Sequence, residues 1–147
     1  MTLQRRDILW YEGKQYALNQ DILKEYFELH PERKPPKIGF DTSLYRGYLS
    51  EFEIIDNQLC VRDISIIADI DPDTGEEIRK SVIASALPDH KVCKWFSGIL
   101  ILFSFSRRKK SKNVYLKMNI SEGLLASTKT LSEQEYKDLG NAAYDYF

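Results

Sequence analysis

Apolar residues recur at every second position through most of this chain, and at three- and four-residue intervals only toward its two ends. Val114, Leu116, Met118 and Ile120 alternate with Tyr115, Lys117 and Asn119, which predicts a strand with one face toward water. The stretch from Trp95 to Phe105, WFSGILILFSF, is apolar at consecutive positions and predicts a central strand covered on both faces. Ile8 to Tyr11 and Gln15 to Leu18 flank Glu12, Gly13 and Lys14, a short hairpin in which glycine supplies the positive φ of a tight reversal. After it, Asn19 is placed to cap a helix reaching about Leu29. Leu18 and Leu23 have the spacing of a hydrophobic staple, and Ile22, Leu23, Tyr26 and Phe27 form the apolar face. Pro31 and the Lys34-Pro35-Pro36-Lys37 stretch then predict an irregular connection to about Ser43.

Leu44 to Ile55 and Gln58 to Ile70 flank Asp56 and Asn57, two residue types that tolerate positive φ and so suit a hairpin turn. Pairing Ile55 with Gln58 puts Phe52, Ile54, Leu59 and Val61 on one face and sets Glu51 opposite Arg62 on the other. Farther from the turn the apolar side changes: Tyr45, Leu49, Ile64, Ile66 and Ala68 fall on the face of Glu51 and Arg62. A flat sheet cannot accommodate that switch, so the pattern requires a bulge near Leu49 to Glu51 or a strongly bent hairpin. Pro72 and Gly75 punctuate a loop leading to a strand from Ile78 to Ala86. Glu122 and Gly123 turn into a short strand from Leu124 to Ser127. Ser132 and Glu135 form a capping box, and Tyr136, Leu139, Ala143 and Tyr146 recur at helical spacing. The expected fold is one α+β domain over residues 1–147, with a mainly antiparallel, strongly curved or barrel-like sheet, a short N-terminal helix and a C-terminal helix docked on the sheet.

At 147 residues with 43% hydrophobic and 12% aromatic content, the chain is long enough to bury a core without metals or disulfides. Its net charge of −1 argues against a surface built wholly for nucleic acid. The two cysteines, Cys60 and Cys93, are expected to be reduced and packed. No signal-like segment is visible, and the longest apolar run falls far short of the roughly 20 residues a spanning helix needs. A cytoplasmic protein with no membrane association is expected.

Four groups of residues invite a chemical reading. Asp69, Asp71 and Asp73 copy the start of a calcium loop, but the sixth position is Thr74 rather than Gly and the twelfth is Lys80 rather than Glu, so a solvated acidic turn is expected. Arg107, Arg108, Lys109, Lys110 and Lys112 crowd one turn. That cluster either protects a hydrophobic strand pair from aggregation or contacts an acidic protein surface or phosphates. His90 and Cys93 lack an orienting third group, and His30 sits beside Pro31 with no zinc-ligand spacing. No catalytic residue, metal or cofactor is therefore expected. Arg46 and Trp95, each near a glycine (Gly47, Gly98), suggest either a structural guanidinium contact or a small-ligand pocket.

The order Gly13 to Leu18, Tyr26-Phe27, Tyr45 to Tyr48 (YRGY), Phe52 to Ile54, Gln58-Leu59, Trp95 to Gly98 (WFSG) and Val114 to Leu116 resembles a family of small, uncharacterised bacterial proteins. Some of these are similar in size and build to immunity proteins of polymorphic-toxin systems. The resemblance supplies no catalytic residue. The absence of a catalytic set, with acidic and basic loop tips set apart, leads to the expectation of a non-enzymatic protein-binding module, an immunity-type inhibitor of a toxin being its narrower form. The alternatives are nucleic-acid association through residues 107–112, and a small-ligand protein or enzyme centred on Arg46 and Trp95. Neither the partner nor the oligomeric state is legible.

Overall fold

The computed structural model describes residues 6–35, 47–88, 91–104 and 114–139. Strands β1 (Ile8–Tyr11) and β2 (Lys14–Leu18) form the first hairpin, with Glu12 at φ 51° and Gly13 at φ 75°. Helix α1 (Leu23–Leu29) follows, and here Asn19 does not cap. The N-cap residue is Ile22, without a side-chain cap, and Asn19 Oδ1 instead accepts the buried amide of Ile101 at 3.0 Å. A buried N–H left without an acceptor costs more than an uncapped, partly solvated helix end, which accounts for where the side chain goes.

Strands β3 (Leu49–Ile55) and β4 (Gln58–Ile70) pair as a hairpin with Ile55 opposite Gln58, and both turn residues have positive φ (Asp56 51°, Asn57 61°). The register shifts between Glu51 and Phe52, making Arg62 the extra residue of a bulge. The expected facing of Glu51 and Arg62 is therefore not made. Glu51 lies opposite Asp63, while the Arg62 guanidinium covers the Trp10 ring at 4.5 Å. The bulge also resolves the change of apolar side, because it returns Ile64 and Ile66 to the same core as Leu59 and Val61.

Strand β5 (Glu77–Ser81) is shorter than expected and gives way to a single helical turn, α2 (Ile83–Ala86). The edge of β4 beyond that point is occupied by another segment. Val61 donates to the Lys91 carbonyl at 2.6 Å, and Cys60 bridges Val92. Strands β6 (Gly98–Phe103), β7 (Tyr115–Ser121) and β8 (Leu124–Leu131) then form a meander, β8 pairing with the whole of β7 rather than stopping at Ser127. Helix α3 (Glu133–Asp138) carries the expected capping box between Ser132 and Glu135. The positions expected to continue it, Ala143 and Tyr146, lie outside the described residues, as do Tyr45 and the basic turn.

The pairings β3-β1-β2-β6-β7-β8-β4 return to β3, so seven strands make a ring, with β5 attached outside it to β4. The pair β1–β3 is parallel and the others are antiparallel. Leu9, Leu18, Phe52, Val61, Leu102 and Met118 fill the interior, and α1 closes one side with Leu23, Tyr26 and Phe27. A smaller cluster lies outside: Ile101 and Phe103 of β6 pack with Tyr115 and Leu131 beneath Tyr136, whose ring stacks on Tyr115 at 4.1 Å. From Leu100 to Phe103 the central strand is thus covered on both faces, by the ring interior and by α3, whereas Ile99, expected to be covered, is 46% exposed. No helix among the described residues is long and apolar enough to cross a membrane.

Candidate functional site

The outer faces of β1, β3, β4 and β5 enclose a cleft of about 360 Å³ lined by Arg6, Ile8, Leu49, Ser50, Glu51, Asp63, Ser65, Arg79 and Ser81. Strand register brings these residues together. Ile8 is beside Glu51, Glu51 opposite Asp63, Leu49 opposite Ser65 and Ser65 opposite Ser81, and partners across a ladder share a face. The Arg62 bulge is what turns Asp63 and Ser65 outward, so the cleft is a product of that one irregularity. Ser50 has the opposite orientation to Leu49 and Glu51 by strand alternation; its hydroxyl is buried without a hydrogen-bond partner, and its amide donates to Asp7 Oδ1 at 2.9 Å.

Among the described residues, two guanidinium groups and two carboxylates line the space, so their charges balance. Ser81 Oγ donates to Asp63 Oδ1 at 2.6 Å, and the same oxygen accepts the Ile64 amide at 2.9 Å. Arg6 is held from behind, donating to the Leu18 carbonyl at 3.1 Å with its guanidinium 5.0 Å from the Phe103 ring centre. Glu51 and Arg79 carry no ion pair with the described residues. Such an arrangement can hold a partner bearing both charge signs; the described lining residues include no excess of cations to neutralise a phosphate backbone. Beside it, the stacked Trp10 ring presents a buried indole N–H with no acceptor.

The residues singled out from sequence are dispersed or undescribed. Arg46, Arg107, Arg108, Lys109, Lys110, Lys112 and His90 lie outside the described residues. Trp95 is half-buried, donating its indole N–H to the Ile22 carbonyl at 3.0 Å with its ring 4.7 Å from that of Tyr26, so it fastens α1 to the chain entering β6. Cys93 is fully buried. Burial first, and Cys60 second, push its thiol well above the ordinary range, the wrong direction for a nucleophile. His30 lies 3.7 Å from exposed Glu32, with its ring 5.0 Å from that of Tyr26. In the acidic turn, Asp69 and Asp71 accept amides of their own loop, from Ile70 and Asp73, and no trio of metal-ligating side chains occurs among the described residues. Sequence reasoning missed the cleft because its members come from four strands. The visible signal was the reversal of apolar side after Glu51.

Comparison with family models, with curated proteins and with solved structures returns no match to this chain.

Proposed function

We propose that this protein is a non-enzymatic binding module that recognises a polypeptide partner through the cleft between β1, β3, β4 and β5. The observation that carries this reading is the balanced pair of charges, two arginines and two carboxylates, displayed on a rigid sheet face. Mixed charges at fixed spacing discriminate between protein surfaces and speed encounter, whereas a polyanion would need a cationic groove. The narrower form, an immunity-type inhibitor that covers a toxin's active site, uses the same surface. Two buried, unbridged cysteines fit a reducing compartment, which makes the cytoplasm the proposed site of action.

The test is capture from the native cell by the tagged protein in rising salt, with nuclease present, beside two variants. Glu51→Lys reverses a cleft charge and Ser65→Tyr fills the cleft; Lys117→Glu, on the face of β7 away from it, is the control. One stoichiometric protein held by the wild type and the control, and lost from both cleft variants, is expected. Equal capture by all four proteins removes the cleft from consideration, and nuclease-sensitive material alone removes the reading altogether.

A further inference from the structure

Strand alternation sets an acidic row on the outer face of the ring beside an unsatisfied donor. Glu51 and Glu53 of β3 project outward, and their neighbours on β1, Ile8 and Trp10, project with them. Across the β3–β4 ladder Glu51 stands opposite Asp63, a juxtaposition of like charges that costs stability. Neither Glu51 nor Glu53 forms an ion pair with the described residues. Glu53 acts instead on the Cys60 thiol opposite it, which burial first and this carboxylate second push upward. The nearby cation is Arg62, exposed and likewise without an ion pair to the described residues, its guanidinium 4.5 Å from the centre of the Trp10 ring. The indole N–H of that ring is buried with no acceptor, a state that folded proteins seldom leave uncompensated.

We propose that this face binds an extended, basic segment of a polypeptide, with lysine or arginine side chains at alternate positions on Glu51 and Glu53 and a main-chain carbonyl on the Trp10 indole N–H. The inference rests on the polypeptide reading above and names the partner's chemistry. Residues two apart in an extended chain lie on one face about 7 Å apart, the same repeat that separates Glu51 from Glu53, so the two rows match. A cation seated at Glu51 also relieves its opposition to Asp63. The acceptor is a neutral carbonyl rather than a carboxylate, because Glu53 beside the ring and Glu51 two residues before it would repel a second anion. Among the described residues only the ring holds the Arg62 side chain, so it can turn aside to admit that carbonyl. Tryptophan and arginine are also the side chains that most often anchor protein interfaces.

Proton–nitrogen correlation spectra test this with the probe acetyl-Ala-Lys-Ala-Lys-Ala-amide, read on the two indole N–H signals. Trp95, whose N–H donates to the Ile22 carbonyl, is the internal check that the fold of each variant is intact. The peptide should move the Trp10 signal downfield and saturably while leaving that of Trp95 in place. Spermidine, which carries cations without a carbonyl, should not move it downfield, and nor should the same peptide with glutamate in place of lysine. Trp10→Phe, followed at the Glu53 amide, should weaken peptide binding about tenfold, the worth of one hydrogen bond. Glu53→Gln should weaken it about threefold and flatten its salt dependence. A Trp10 signal that the lysine peptide leaves in place up to about 10 mM, or that spermidine moves equally, overturns the proposal. Capture from the cell is measured apart from this signal. A captured partner with a silent Trp10 therefore overturns this inference alone, and a responsive Trp10 with no captured partner tells against the cellular reading alone.

Discussion

Gly123 shows how narrowly one position can be constrained. It turns β7 into β8 at φ 79°, and a Cβ there would sit 2.7 Å from the Cys93 carbonyl oxygen. Gly123→Ala combines backbone strain with that collision and should lower the urea midpoint by the equivalent of about 2 kcal/mol or more, with an unchanged m-value. Ser50 is the converse case, a hydroxyl buried without a partner, so Ser50→Ala should be neutral or stabilise by about 1 kcal/mol in the same measurement. Cys93 links burial to pH. Its thiol is raised in the folded state, so its contribution is fully present below the unfolded-state value of about 8.5 and is lost as pH rises from there through the folded value. Unfolding free energy followed by urea titration from neutral to alkaline pH should fall more steeply for wild type than for Cys93→Ala. The glycine turn and the packed thiol were legible in the sequence. The Cys93 carbonyl against Gly123 was not, because the contact joins chain segments thirty residues apart.

Among the elements, the contact between β2 and β6 is one of two thin parts of the ring, with Ala17 opposite Phe103 and Leu18 opposite Leu102; the other is β4 against β8, with Gln58 opposite Leu124. Asn19 extends the β2–β6 contact by accepting the Ile101 amide. Asn19→Ala leaves that buried N–H without its acceptor and should cost about 1 to 3 kcal/mol, with faster hydrogen exchange at Ile101 than elsewhere in β6. In α3, the Glu135 carboxyl is held below its usual range by the Ser132 amide and then by Lys129. This contribution is present above the unfolded value of about 4.3 and lost as pH falls through the lowered folded value, so acidification should release α3. Exchange of the α3 amides as a function of pH checks it, and Ser132→Ala should produce the same release at neutral pH. The α3 cap could be read in advance because its partners are three residues apart. The end of β5 could not, since it is set by the Lys91 to Cys93 segment taking the adjacent edge of β4.

At the scale of the whole molecule, ring closure and the cleft share one cause. The extra residue Arg62 rotates β4 so that Leu59, Val61, Ile64 and Ile66 all reach the interior while Asp63 and Ser65 face out. Deleting Arg62 should leave a continuous ladder with Phe52 still opposite Val61, Glu51 opposite Asp63, and Ile64 and Ile66 still inward, while removing the guanidinium over Trp10. It should yield a protein that keeps its near-ultraviolet circular dichroism and binds no hydrophobic dye. The chain's periodicity by itself determined the hairpins, the doubly covered strand, the curved sheet and the need for an irregularity near Glu51, because alternation and turn chemistry act between near neighbours. Only the tertiary structure decided which residue is the extra one, that Asn19 serves a strand rather than a helix, and that four strands bring two arginines and two carboxylates to one cleft. Those outcomes depend on which distant segments compete for the same buried backbone and the same space, and local sequence does not encode that competition.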